Sequence, residues 1–176
     1  METIIIGFST HRGPSLLASL IRRAEGTEYS HVYLRVYSES LDRWLVYQAS
    51  GLAVNFMGFE RFLQHNIIIE EYQIQVTQAE KQAILRFCVD EAGVPYGSKW
   101  LVGMAWVRLA KLWFDRKVGN PFPSGQATYA CSKLMGYVLK LLGKGYSPTQ
   151  LESADPKWIN KQIKSWNRAV RLGDGV

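Results

Sequence analysis

Cysteine is scarce in this chain, with only Cys88 and Cys131 among 176 residues. A disulfide scaffold or a four-ligand zinc site needs more thiols at framework spacing, so neither is expected. Long hydrophobic runs are missing too. The opening apolar run stops at Phe8 with no basic start, and Trp100 to Val107 is far short of the roughly 20 residues that cross a bilayer. Neither a signal peptide nor a transmembrane span is expected. Internal repeats and low-complexity linkers are also lacking, so the reading is a single domain over 1–176, reduced and cytoplasmic.

What is present is enough for a core: 47% of the residues are apolar. The net charge of +6 permits attraction to anionic partners without choosing among nucleic acid, lipid headgroup and acidic glycan. No nucleic-acid recognition motif accompanies it, and no specific recognition of nucleic acid is expected.

The spacing predicts an Ile-rich strand from Thr3 to Phe8 and a polar loop, Ser9 to Gly13, containing His11. A short helix from Pro14 follows, with Leu16, Leu17, Leu20 and Ile21 on one face and an end near Gly26. His31 to Tyr37 alternates, setting Val32, Leu34 and Val36 against His31, Tyr33, Arg35 and Tyr37, and a second strand runs from about Trp44 to Ser50. Joined by a loop over Ser38 to Leu41, the two strands place His31 opposite Gln48 and Leu34 opposite Leu45. A slip of two brings Ser50 or Val46 opposite His31 instead. Phe56 to Phe62 reads as a helical turn, Asn66 to Val76 as one or two strands, and His65 as a loop residue beside them. Thr77 and Glu80 form a capping box for a helix carrying Cys88 on its apolar side, where a thiol serves as core.

Lys99 to Phe114 is aromatic and amphipathic, and the loop from Val118 to Gln126 leads to Cys131. From Cys131 a helix is expected, with Leu134, Met135, Val138, Leu141 and Leu142 inward and a stop at Gly143 or Gly145. A thiol in a first turn faces unpaired N–H groups and the positive end of the helix dipole, which favour the thiolate and can hold an oxyanion. Asp155 and Pro156 open a last helix, read to about 172. Its Lys157, Lys161, Lys164, Arg168 and Arg171 form a basic face able to contact an anionic surface, including peripheral contact with a membrane.

The order histidine, polar residue, cysteine, with Tyr29-Ser30-His31-Val32 and Tyr129-Ala130-Cys131-Ser132, resembles the circularly permuted papain-like cysteine hydrolases. These are the YiiX-like relatives of NlpC-type peptidases and lecithin:retinol acyltransferases. Pro95-Tyr96-Gly97 and Tyr146-Ser147-Pro148 with Leu151 extend the likeness over about Thr3 to Leu151. The resemblance implies an α+β fold, with a small antiparallel sheet packed against the helix that carries the cysteine. It implies Cys131 as nucleophile, His31 as general base and Gln48 as the residue that orients the imidazole, with no cofactor and no metal. Relatives often carry Glu where this chain has Gln48 and an acidic residue where it has Lys133. The expected activity is hydrolysis of an amide or isopeptide bond in a peptide, isopeptide or cell-wall crosslink. The alternatives are a lipid acyl hydrolase or acyltransferase using the same residues, and a non-catalytic module that binds anionic surfaces.

Overall fold

The computed structural model describes residues 1–51, 53–95 and 130–173. The sequence readings of Tyr96-Gly97, Lys99 to Phe114, Val118 to Gln126 and Tyr129 lie outside the described residues. The described chain is a mixed α+β structure on a six-stranded antiparallel sheet ordered β4-β3-β2-β1-β5-β6. Its strands are β1 (Glu2–His11), β2 (His31–Ser38), β3 (Arg43–Ser50), β4 (Ala53–Gly58), β5 (Asn66–Val76) and β6 (Ala169–Arg171). Six helices accompany them: α1 (Leu16–Glu25), α2 (Phe59–His65), α3 (Gln78–Asp90), α4 (Cys131–Leu141), α5 (Pro148–Glu152) and α6 (Pro156–Lys164).

β1 sits in the middle of the sheet, paired with β2 on one side and β5 on the other. Both its faces are also buried, Ile4, Ile6 and Phe8 in the main core and Ile5 at 4% exposure on the other side, which explains an unbroken Ile run where a one-sided strand would alternate. Ile4, Ile6 and Phe8 join Val32, Leu34, Val36, Tyr47 and Ala49 in the main core, beneath α4. On the other face Tyr33, Val46 and Phe62 form a smaller cluster under α2. Gly7 belongs to this second face and lies opposite Tyr33. A Cβ there would come within 2.2 Å of the Tyr33 ring, so only glycine lets the ring lie flat on β1. Tyr33 then donates to Glu71 Oε1 at 2.7 Å, and Arg35 donates to Glu71 Oε2 at 2.8 Å.

Several sequence readings need correction. β1 continues through Ser9 and Thr10 to His11, because β5 pairs with it that far, accommodated by a bulge after Phe8. Ala53 to Gly58 is an edge strand, β4, so only Phe59 to Phe62 of the expected helical turn is helical. The loop between β2 and β3 is Glu39 to Asp42, with Asp42 at φ 48, one residue later than expected. The register is therefore shifted by two, and Leu34 faces Tyr47 rather than Leu45. Leu141 is 42% exposed on α4, whose inner side is Leu134, Met135, Val138 and Leu139.

The last helix stops at Lys164, and Ala169–Arg171 instead pairs with β5, whose outer edge was open to another strand. Of the five expected basic residues, Lys157 Nζ donates to the Glu25 carbonyl at 2.9 Å, Lys164 Nζ pairs with Glu70 at 3.3 Å, and Arg168 pairs with Glu80 at 2.9 Å. The Arg168 partner and the capping-box bonds hold the Glu80 carboxyl at about 2. Cys88 is fully buried on α3, and burial raises its thiol pKa, as a core role requires. Among the described residues no helix is long and apolar enough to cross a membrane.

Candidate active site

His31 opens β2 directly across from Ser9, and its side chain shares the Tyr33 face of the sheet. Gln48 lies on the same face of β3, between Tyr47 and Ala49, which point into the main core. Extending the observed register would set Gln48 opposite Tyr33, which makes it a diagonal neighbour of His31. The two side chains meet: the His31 Nε2 to Gln48 Oε1 distance is 2.7 Å. The amide nitrogen of Gln48 points the other way, to Met57 Sδ at 3.5 Å. An amide oxygen only accepts, so the ring carries its proton on Nε2 and keeps a free lone pair on Nδ1. A shift of two left the pair on one face, and so the expected contact survived a wrong register.

Cys131 is the first residue of α4 and is 2% exposed. Ala130 occupies the N-cap and offers no side-chain oxygen to the first turn, which leaves backbone N–H groups there uncapped by a side chain. The backbone N–H groups of Val32, Ser132 and Cys131 itself lie close enough to the sulfur to favour its thiolate. Val32 is the residue after His31. The β2–β3 ladder ends at the Leu34–Tyr47 pair, so His31 to Tyr33 and Gln48 to Ser50 lie beyond its paired residues. Ser132 Oγ donates to the Ala154 carbonyl at 2.7 Å, and Lys133 Nζ pairs with Glu152 at 2.6 Å. These bonds tie the first turn of α4 to α5 and fix where the thiol sits.

The imidazole and the thiol lie on different faces of the sheet, with Cys131 in the main core and His31 on the Gln48 side. Among the described residues the ring is bonded to Gln48, and no hydrogen bond joins ring and sulfur directly. Burial pushes the Cys131 thiol up to about 11, with the Glu25 carboxylate adding to it, and outweighs the three N–H groups that favour the thiolate. Burial likewise pushes the His31 imidazole down to about 4, against the opposing effect of Gln48. The thiolate expected from the helix terminus is thus reversed by desolvation. The resting pair is a neutral thiol and a neutral imidazole.

These opposite shifts bracket a window of stability. Between its ordinary 6.5 and the native value of about 4, His31 binds a proton in the unfolded chain but not in the native one. Its stabilisation is therefore complete above about 6.5 and is lost as the pH falls through 4. Cys131, raised from 9.0 to about 11, keeps in the native state a proton that the unfolded chain releases, so its stabilisation is complete below 9 and is lost as the pH rises through 11. Urea unfolding across this range is expected to show limbs of up to about 1.4 kcal/mol per pH unit on each side. Cys131→Ala should flatten the alkaline limb and His31→Asn the acid limb. An alkaline limb identical in wild type and Cys131→Ala would contradict the burial of the thiol.

A cavity of about 370 Å³ opens beside His31, and all three histidines of the chain line it. His11 comes from the end of β1 and His65 from the end of α2, joined by the His11–Asn66 strand pair and the Arg12 N–H to His65 carbonyl bond of 2.8 Å. The sequence reading left both in loops. Only the β1–β5 pairing brings them to His31, and no local pattern carries that signal. Glu25 was also missed: its carboxylate accepts from the Lys157 N–H at 3.2 Å, at the start of α6, and acts on the Cys131 thiol.

Among the described residues no group of three or more His, Cys, Asp or Glu side chains is placed to hold a metal ion. No family model matches this chain, and no curated protein matches it. Among solved structures, the chain is similar to the crystal structure of the metalloprotein yiiX from Escherichia coli O157:H7, with a TM-score of 0.49 and 14% identity over 98% of this chain and 96% of that one.

Proposed function

We propose that this chain is a thiol hydrolase of permuted papain-like architecture that cleaves an amide or isopeptide bond through Cys131, His31 and Gln48. The observation that supports it best is a histidine held through Nε2 by the Gln48 amide oxygen at 2.7 Å, with the backbone N–H of the next residue, Val32, near the Cys131 sulfur. Catalytic hydrogen bonds in ligand-free sites are often open and close on substrate, so His31 needs to bring Nδ1 to the sulfur only in the bound state.

The neutral resting pair sets the order of events. Nδ1 takes the thiol proton as the sulfur bonds to the substrate carbonyl carbon, so deprotonation accompanies attack rather than preceding it. The carbonyl oxygen becomes an oxyanion, which backbone N–H groups at the start of α4 hold. The C–N bond then breaks, and the imidazolium returns its proton to the leaving amine. Water, deprotonated in turn by His31, attacks the thioester and releases the acid and the thiol. Gln48 keeps the proton on Nε2 throughout, and its neutral amide does not favour the imidazolium as a carboxylate would. These steps draw on no cofactor.

The test is to trap the acyl-enzyme. Incubation with p-nitrophenyl acetate should leave one acetyl group on the peptide containing Cys131, found by mass spectrometry and lost in Cys131→Ala. An adduct elsewhere, or none, would overturn the assignment. A lipid acyl ester would pass through the same steps, so release from a fatty-acyl nitrophenyl ester is compared with release from a peptide aminocoumarin amide. Turnover of the lipid ester alone would replace the amide reading. A Cys131→Ala protein with every function intact, combined with loss on charge reversal over Lys157 to Arg171, would make the chain a binding module.

A further inference from the structure

The short helix α1 has an apolar side that is left exposed among the described residues. Ser15, Ala18 and Ile21 turn toward the His31 cavity. Leu16 and Leu20, one turn apart, face outward at 87% and 42% exposure, where the sequence pattern had placed them on one apolar helix face. A second apolar residue at helical spacing distinguishes this side from a singly exposed leucine. Beside the helix runs a groove lined by Ser19, Arg22, Arg23, Thr27, Glu28 and Ile67, the last 42% exposed on β5.

The charge at this groove is unbalanced. Arg22 donates to Ser19 Oγ at 3.4 Å, and among the described residues neither Arg22 nor Arg23 has a carboxylate partner. Arg12, just ahead of the helix, is exposed and donates to the Leu63 carbonyl. Glu28 is the acidic residue of the groove, and Glu25 of the same helix is turned inward to the start of α6. Elsewhere the basic side chains near carboxylates are paired, as Lys164 is with Glu70 and Arg168 with Glu80.

We propose that α1 and this groove dock on an anionic phospholipid bilayer. Leu16 and Leu20 enter the boundary between headgroups and acyl chains. Arg22 and Arg23, with the Ser19 hydroxyl, supply the donors that a lipid phosphate takes. Opposite faces of one helix then do two things, since the face that walls the cavity is carried to the membrane with the face that inserts. The inference stands apart from the thiol chemistry, because vesicle binding requires no turnover.

The test is co-sedimentation of the full chain with vesicles of phosphatidylcholine alone or mixed with phosphatidylglycerol. Partition is expected into the mixed vesicles, weak with phosphatidylcholine alone and weakened by salt. The double change Arg22→Glu with Arg23→Glu, and separately Leu16→Ser with Leu20→Ser, should each lower the partition coefficient by about tenfold or more. Circular dichroism checks that these surface variants fold. Lys161→Glu, at an exposed position of α6, should leave partition unchanged. Absence of partition, or a loss that follows Lys161→Glu instead of the α1 variants, would overturn the proposal. Retention on immobilised polyglutamate without vesicle binding would assign the surface to an acidic polypeptide and overturn it equally.

Discussion

Cys131→Ala is expected to bring hydrolysis of an acyl substrate to background, a loss on the order of 10⁶-fold, the scale seen when a nucleophile is removed from a cooperating site. His31→Ala should cost about 10²–10⁴-fold, the range of general-base catalysis, because the buried thiol at about 11 supplies almost no thiolate without a base. The double variant should be no slower than Cys131→Ala alone, since a base has no task once the nucleophile is gone. Initial rates with a nitrophenyl ester, measured on variants of confirmed fold, check all three. Equal activity in His31→Ala and wild type would remove the imidazole from the chemistry, while a Cys131→Ala protein that kept its rate would remove the thiol.

Glu71→Ala should cause the largest loss of stability, about 3–5 kcal/mol, because it strips the partner from a buried charge. The side chains of Arg35 and Glu71 are each 11% exposed and meet at 2.8 Å, and the guanidinium lies 4.1 Å from the Phe59 ring centroid and 4.9 Å from that of Trp44. Among the described residues Arg35 Nε has no hydrogen-bond partner of its own, so the Glu71 contact is the chief compensation for that charge. Without it the Tyr33 hydroxyl also loses its acceptor. Glu71→Gln keeps an acceptor and should cost less than Glu71→Ala. Replacing both charges, as Arg35→Met with Glu71→Leu, should recover much of the loss, since a buried ion pair is often no better than an apolar pair. Urea unfolding of the three variants distinguishes these outcomes, and for Glu71→Ala the Tm should fall by roughly 10 °C. Wild-type stability in Glu71→Ala would show that the pair contributes nothing. Burial, and then the Glu71 charge, raises the Tyr33 pKa, so this network stays protonated on the phenol across the ordinary pH range.

Features written within a few residues were legible before the fold was known. The capping box at Thr77, the Asp155 cap and the alternation of β2 each rest on local spacing. The start of a helix at Cys131 is of the same kind. The His31–Gln48 contact was found because period two fixes the face even where the register is off by an even number. The register itself depends on which four residues turn, and Asp42 in the left-handed region was not signalled by composition. β4 read as helical because Phe56 to Phe62 has no clean alternation, yet an edge position beside β3 makes it a strand. The protonation states were the least legible part. A helix terminus near a thiol can be recognised from sequence, but the water excluded around it is set by packing from α4, β2 and β3, elements distant in the chain.

The position of β1 also bears on how the molecule is made. Strands β1 to β4 are joined in order and can assemble as a meander while the chain leaves the ribosome, but the second edge of β1 waits for β5, some sixty residues later, as the Glu2–Val76 and His11–Asn66 pairs show. During that interval the Ile4-Ile5-Ile6 run presents a bare, sticky border to neighbouring nascent chains. Slow elongation between β4 and β5 would therefore favour clumping over correct closure. Synonymous codons in that stretch become a handle on yield, even though they alter no side chain.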